Sequence, residues 1–373
     1  MLDMPACFSP TADVATARFL EAAGRAGADI ETFELDLLSP DKNGCVCVTA
    51  ALGPSASEKA LVTVSGVHGD EGLPGAAIQL SLVEEQPAVF QSAQIRTVHV
   101  HLINPWGTAW DHHADHENID VFRNFVYPPE QRFENPGYDA LVDQINPVEW
   151  TGPLRDDANR RLAAFVERHG PEELQKIMRL GQSAHPLGLT YHGDHPSWSR
   201  GVLAKTAARH LRHATRILSM DIHTGFGRYG QGTPVSYDNP ASPQFAALTE
   251  LFGELYYPGA FPLIPSHPRS ALHLLQELLP QSEHLTYALE FGTLDTAAMM
   301  DELRLGNWLF GQGKLDTADG AAHRQRIRAF FCPDDPAWRR MVVSKGRADA
   351  ERCVDWLCVQ SGSGAPSSPA TET

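Results

Sequence analysis

Apolar and polar positions along this 373-residue chain fall into two recurring patterns. Short, charge-poor, β-branched runs end in glycine or in polar words: Ala60 to Val67, Thr97 to Ile103, Ile217 to Ile222 and Thr286 to Phe291. Their length and content predict buried strands, and Gly44 to Leu52 reads as another. Between them, apolar residues three and four apart predict helices over Thr11 to about Ala28 and Leu73 to about Glu85, where Pro74 fits a first turn. Two more helices are expected between Arg155 and Leu180, broken at Gly170-Pro171, with others near 201–214, 241–255, 296–311 and 336–356. Alternating strands and helices predict an α/β fold: a single large domain whose mixed, mostly parallel central sheet is covered by helices on both faces. The domain is read as 1–360, with a helical insertion at about 130–200 over one side of the cleft. The small, polar residues 361–373 are read as a disordered tail.

Charge narrows the partners. Thirty basic residues against 46 acidic ones give a net charge of −16, which disfavours nucleic acid and anionic membranes. No apolar stretch reaches 18 residues and no leader pattern opens the chain, so a cytoplasmic protein is expected, of undetermined oligomeric state. Six cysteines without C-x-x-C spacing are expected to be reduced and mostly buried, Cys45 and Cys47 sharing one strand face.

Candidate chemistry sits where the strands end. His68 and Glu71 are three residues apart on the glycine-rich turn after the Ala60 run, and an imidazole and a carboxylate so placed can converge on one zinc ion. His223 closes the Ile217 run and offers a second nitrogen. Glu290 is a lone carboxylate in an apolar strand, and Arg123 a guanidinium in an otherwise apolar, asparagine-flanked stretch. Taken singly, each has an ordinary structural explanation; together they point to a site, because ligand sites in open α/β sheets collect at the carboxyl ends of strands. Seventeen histidines raise two further clusters, His99 with His101 on one strand face and His192 with His195 in a loop.

The order His68-x-x-Glu71, Arg123-Asn124-Phe125, His223, Glu290 resembles that of the zinc metallocarboxypeptidases. The words Ser65-Gly-Val-His-Gly-Asp-Glu-Gly72, Asn104-Pro-Trp-Gly107, Asp221-Ile-His-Thr-Gly225 and Leu289-Glu-Phe-Gly-Thr293, and the stretch from Gly188-Leu-Thr-Tyr to Pro196-Ser-Trp-Ser199, resemble a bacterial branch of that superfamily catalogued as a domain of unknown function. The likeness runs from about residue 60 to about 310. It implies a carboxypeptidase-like hydrolase with Zn2+ on His68, Glu71 and His223, which leaves a fourth position for water. It implies Glu290 as general base and acid, and Arg123 with Asn124 as partners of a substrate carboxylate or of the polarised carbonyl. The expected substrate is a peptide or small molecule bearing a carboxylate next to the amide. Removal of a peptide residue and deacylation of the aspartoacylase or succinylglutamate desuccinylase kind both stay open. An inactive, metabolite-binding descendant is the alternative from another class.

Two departures qualify the resemblance. The asparagine usual before the arginine is Phe122, which weakens the case for an ordinary peptide C-terminus. Where the branch carries arginines this chain reads Trp110-Asp-His-His-Ala-Asp-His116, so either His112 or His113 takes an oxyanion role or that role is unfilled. A catalytic tyrosine has two candidates, Tyr256 and Tyr257.

Overall fold

The computed structural model describes residues 3–126, 128, 131–132, 134–259, 271–294 and 296–358. Seven strands make one sheet: β1 (Asp29–Leu38), β2 (Gly44–Leu52), β3 (Lys59–Ser65), β4 (Arg96–His101), β5 (Arg216–Tyr229), β6 (Gly232–Val235) and β7 (Glu283–Gly292). They lie in the order β1-β2-β4-β3-β5-β7-β6. The centre, β4-β3-β5-β7, is parallel, while β1/β2, β2/β4 and β6/β7 pair antiparallel. The fold is therefore α/β with a mixed sheet, parallel in its middle and antiparallel outside it.

The central strands are apolar on both sides because both faces are covered. Leu218, Met220 and Ile222 of β5, with Leu285, Tyr287, Leu289 and Phe291 of β7, enter a core cluster with the helices Ala12–Arg25, Gly72–Glu84 and Pro336–Cys358. Val62 and Val64 of β3, with Ile217 of β5, enter the opposite cluster, against the helices Val121–Val126 and Trp198–His210. Strand parity then puts Asp221, His223 and Glu290 on this second face. From β3 the chain passes through helix Gly72–Glu84 to β4 on one side, while β5 lies on the other. The carboxyl ends of β3 and β5 thus flank a switch point, where such sheets open a crevice.

The region read as a helical insertion holds the helices Pro136–Ile145, Pro153–His169 and Pro171–Leu180. Tyr138, Leu141, Ile145, Ile177, Met178 and Leu189 give it a small core of its own. The five cysteines up to Cys353 are buried, Cys358 is exposed, and all six are free. Cys45 and Cys47, expected on one face, join different core clusters. The tail at 361–373 lies outside the described residues. Among the described residues no helix is long and apolar enough to cross a membrane.

Candidate metal centre and cleft

The turn after β3 is shaped by its glycines. Gly66 has a φ of +73°, and a Cβ on Gly69 would lie 2.2 Å from the Gly107 carbonyl carbon and 2.3 Å from the His112 oxygen. No other residue permits that approach, which brings His68 and Glu71 back over the strand end. On the neighbouring strands, His223 of β5 is in register with Glu290 of β7, so the two side chains are adjacent on one face.

Glu71 is the hub. Its Oε1 lies 3.0 Å from His68 Nδ1 and its Oε2 2.9 Å from His223 Nδ1, while the Thr224 backbone N–H donates to Oε2 at 3.0 Å. Burial pushes the Glu71 carboxyl up, but His68 and His223 prevail and hold it well below the usual carboxylate range. Burial likewise disfavours the His68 cation, yet Glu71 and Asp120 lift its pKa to about 9. His223 is raised well above its ordinary value, against burial, by Asp221 and Glu71. One ligand atom from each of His68, Glu71 and His223 can be chosen so that all lie within 4.8 Å of one another.

Each imidazole is backed by an aspartate that the sequence reading had left without a role. His223 Nε2 is 2.8 Å from Asp221 Oδ2, and His68 Nε2 is 3.6 Å from Asp120 Oδ1. Both aspartates are almost wholly buried. A ring with Nδ1 at a carboxylate hub and Nε2 at a second carboxylate has the layout of a metal-ligating histidine, whose far nitrogen is ordinarily held by an acid. The donor set, two imidazole nitrogens and one carboxylate, also suits zinc with a position left open. By these two tests the residues fit a metal.

A cleft of about 1000 Å³ opens beside this group, with Glu71, His113, Thr224, Tyr237 and Glu290 on its walls. Burial, reinforced by Glu71 and Asp221 and opposed by His223 and His68, raises the Glu290 pKa to about 8. His113 stacks on His68 with ring centroids 3.9 Å apart, and its Nδ1 lies 3.0 Å from Asp70 Oδ1. Phe122 packs against both candidate ligand rings, 5.8 Å from His68 and 6.0 Å from His223.

Other expected site residues lie elsewhere. His112, which follows the left-handed Asp111 at φ +48°, is not on the cleft wall. His112 stacks on Phe310, its Nε2 is 3.2 Å from Asn118 Oδ1, and burial lowers its pKa to about 3. Asn124 is buried, donating to the carbonyls of His192 and His195 and accepting from the Ser197 N–H, so it pins a loop. Arg123 is also turned inward: its guanidinium pairs with Asp120 and donates to the carbonyls of Met178 and Arg179 at 3.0 and 3.2 Å. The arginines on the cleft wall are Arg179 and Arg304, which no sequence motif marked. Of the two candidate tyrosines, Tyr256 lines the cleft while Tyr257 packs on Phe245; Tyr237, unmarked in the sequence, lines it too.

The family model described as "Protein of unknown function (DUF2817)" matches residues 8–345. The chain belongs to this family. No curated protein matches it. Among solved structures, this DUF2817 chain is similar to bovine thrombin-activatable fibrinolysis inhibitor, crystallised with tick carboxypeptidase inhibitor, at 11% identity and a TM-score of 0.49, over 94% of this chain and 97% of that one. It is similar to carboxypeptidase A from Helicoverpa armigera at 14% and 0.42, over 86% and 73%. With murein-tripeptide amidase from Escherichia coli O157 the values are 13% and 0.39, over 75% and 90%.

Proposed function

We propose that the protein is a zinc-dependent hydrolase that cleaves an amide bond beside a carboxylate. The observation that carries this reading is the Glu71 carboxylate set between the Nδ1 atoms of His68 and His223, with Glu290 next to His223 across the strand pair and open to the cleft. A zinc ion on these three residues would activate water and polarise the scissile carbonyl.

The chain's own groups supply the rest. A carboxyl lifted toward neutrality by burial can take a proton from the attacking water onto its oxygen and return it to the leaving nitrogen, which is the part assigned to Glu290. His113 lines the cleft with its Nδ1 held by Asp70 and its ring stacked on His68, so it presents its Nε2 edge in a fixed orientation. Asp70 then acts as a positioning residue for that ring. Arg179 stands on the cleft wall, where Arg123 does not, and is the candidate partner for the substrate carboxylate, which it would meet while its Nη1 also donates to the Pro258 carbonyl.

The test is metal analysis of the purified chain, followed by a panel of N-acyl amino acids and dipeptides. Glu290→Gln keeps shape and hydrogen bonding but removes the base, so the metal is expected to stay while kcat falls by a factor on the order of 10² to 10⁴. A near-normal kcat in that variant, or no hydrolysis of any panel member by the metal-loaded wild type, overturns the reading.

A further inference from the structure

We infer that the cleft selects an N-acyl amino acid whose acyl group is a long aliphatic chain, an inference that rests on the hydrolase reading. At about 1000 Å³ the cleft stands at the upper end of the range of roughly 300–1000 Å³ usual for small-molecule sites. A short acyl group would leave most of it to water.

The side chains of one wall name the chemistry. Leu162 and Val166 of helix Pro153–His169, Leu174 of helix Pro171–Leu180, and Met300 and Leu303 of helix Thr296–Gly311 all line the cleft. None of these five offers a hydrogen bond, while Asn159, Glu167, Gln175 and Asp301 of the same helices give the lining its polar part. Leu162 and Val166 are four apart on a charge-rich helix whose sole buried residue is Ala158, so they present an apolar stripe to the cleft instead of filling a core. The aromatic lining, Phe226, Tyr237, Tyr256 and Phe331, comes from other elements, and a wall of leucine, valine and methionine accepts a flexible methylene chain better than a flat ring. The helices hold the wall in place, since Arg304 bonds to Asn159 and Asp301, and Arg155 pairs with Asp301. With the amide at Glu71 and Glu290, the carboxylate goes to Arg179 and the acyl chain to this wall. Hydrolysis breaks the amide C–N bond, adds water's hydroxyl to the carbonyl carbon and its proton to the nitrogen, and yields a fatty acid and a free amino acid.

The experiment compares N-acetyl-, N-octanoyl- and N-dodecanoyl-alanine on the metal-loaded full chain. Each buried methylene can lower KM by up to about fourfold, so kcat/KM is expected to rise at least about 100-fold from acetyl to dodecanoyl. In Leu162→Asp and Val166→Asp the dodecanoyl-to-acetyl ratio is expected to drop about tenfold or more, whereas a folding defect would lower both substrates alike and leave the ratio intact. Equal rates across the series, or a preference for apolar dipeptides over every acyl chain, overturns the inference and leaves the hydrolase reading standing. If no acyl amino acid is cleaved, yet calorimetry with the same compounds shows binding that tightens with chain length, the hydrolase reading fails and the acyl site stands.

Discussion

Two pairs of buried histidines in this protein are held in opposite ways. His99 and His101 lie on β4, facing helix Gly72–Glu84 and its Gln79: His99 Nδ1 is 2.8 Å from Thr63 Oγ1, His101 Nδ1 is 3.1 Å from Gln79 Oε1, and the His101 ring stacks on Phe19 at 4.1 Å. Burial, with no carboxylate to oppose it, lowers them to about 4 and about 3, His99 adding to the effect on His101. His68 and His223 are similarly enclosed, but three carboxylates face them and both are raised. Enclosure alone makes a histidine a neutral packing group. It takes an acid on either side of the ring to make it a holder of protons or of a metal.

The largest expected effect follows from this contrast. His68→Ala and His223→Ala are each expected to remove bound zinc and activity together, while His99→Gln and His101→Gln keep the metal and lose stability instead. Metal content by mass spectrometry and thermal melts distinguish the two classes. Full zinc in either of the first two variants, or its loss in the last two, would break the comparison.

A smaller effect is expected from the flanking acids. Asp221→Asn and Asp120→Asn keep the shape but cannot hold the far ring nitrogen as an anion, and affinity for zinc is expected to fall about 10- to 100-fold, read by competition with a chelator. Asp221 is the sharper test, because Asp120 also neutralises Arg123. An unchanged affinity in Asp221→Asn would mean that the 2.8 Å approach to His223 does nothing for the ligand.

This contrast also shows what the sequence could and could not disclose. His68, Glu71, His223 and Glu290 were legible because each sits at a strand end or in a strand whose apolar run is unambiguous, and register then brings them together. Asp120 and Asp221 stood inside the quoted words, but their roles depend on which way a buried carboxylate points, and periodicity carries no such information. Arg123 shows the same limit: read from its apolar stretch as a ligand for substrate, it donates in the fold to the carbonyls of Met178 and Arg179, more than fifty residues on, contacts that no periodicity discloses. His112 and His113 were indistinguishable in sequence, and only their contacts, His113 on His68 and His112 on Phe310, separate them. Among the elements that escaped prediction are β1, β6 and the helices Pro136–Ile145 and Ala318–Phe331. β1 alternates polar and apolar residues at an exposed sheet edge, with acids through its length and little burial, so its apolar signal is weak.

The smallest effect, and the one that tests both pairs at once, is the pH dependence of the metal-free protein's stability. A histidine whose folded pKa is raised binds more protons folded than unfolded, so its contribution is full below the unfolded value near 6.5 and is lost as pH rises through the folded one. For His68 that window runs from about 6.5 to about 9, and His223 acts in the same direction. Glu290, raised to about 8, adds to this loss from about 4.5 upward. His99 and His101 have the opposite sign: their contribution is full above about 6.5 and is lost as pH falls toward their folded values near 4 and 3. Glu71, held low, joins them below about 4.5. The melting temperature of metal-free protein is therefore expected to peak between the two limbs and to fall on either side. Replacing His68 by Ala should flatten the alkaline limb and leave the acid limb, and replacing His101 by Gln should do the reverse. If His101→Gln flattened the alkaline limb instead, the division between packing and ligand histidines would be drawn in the wrong place.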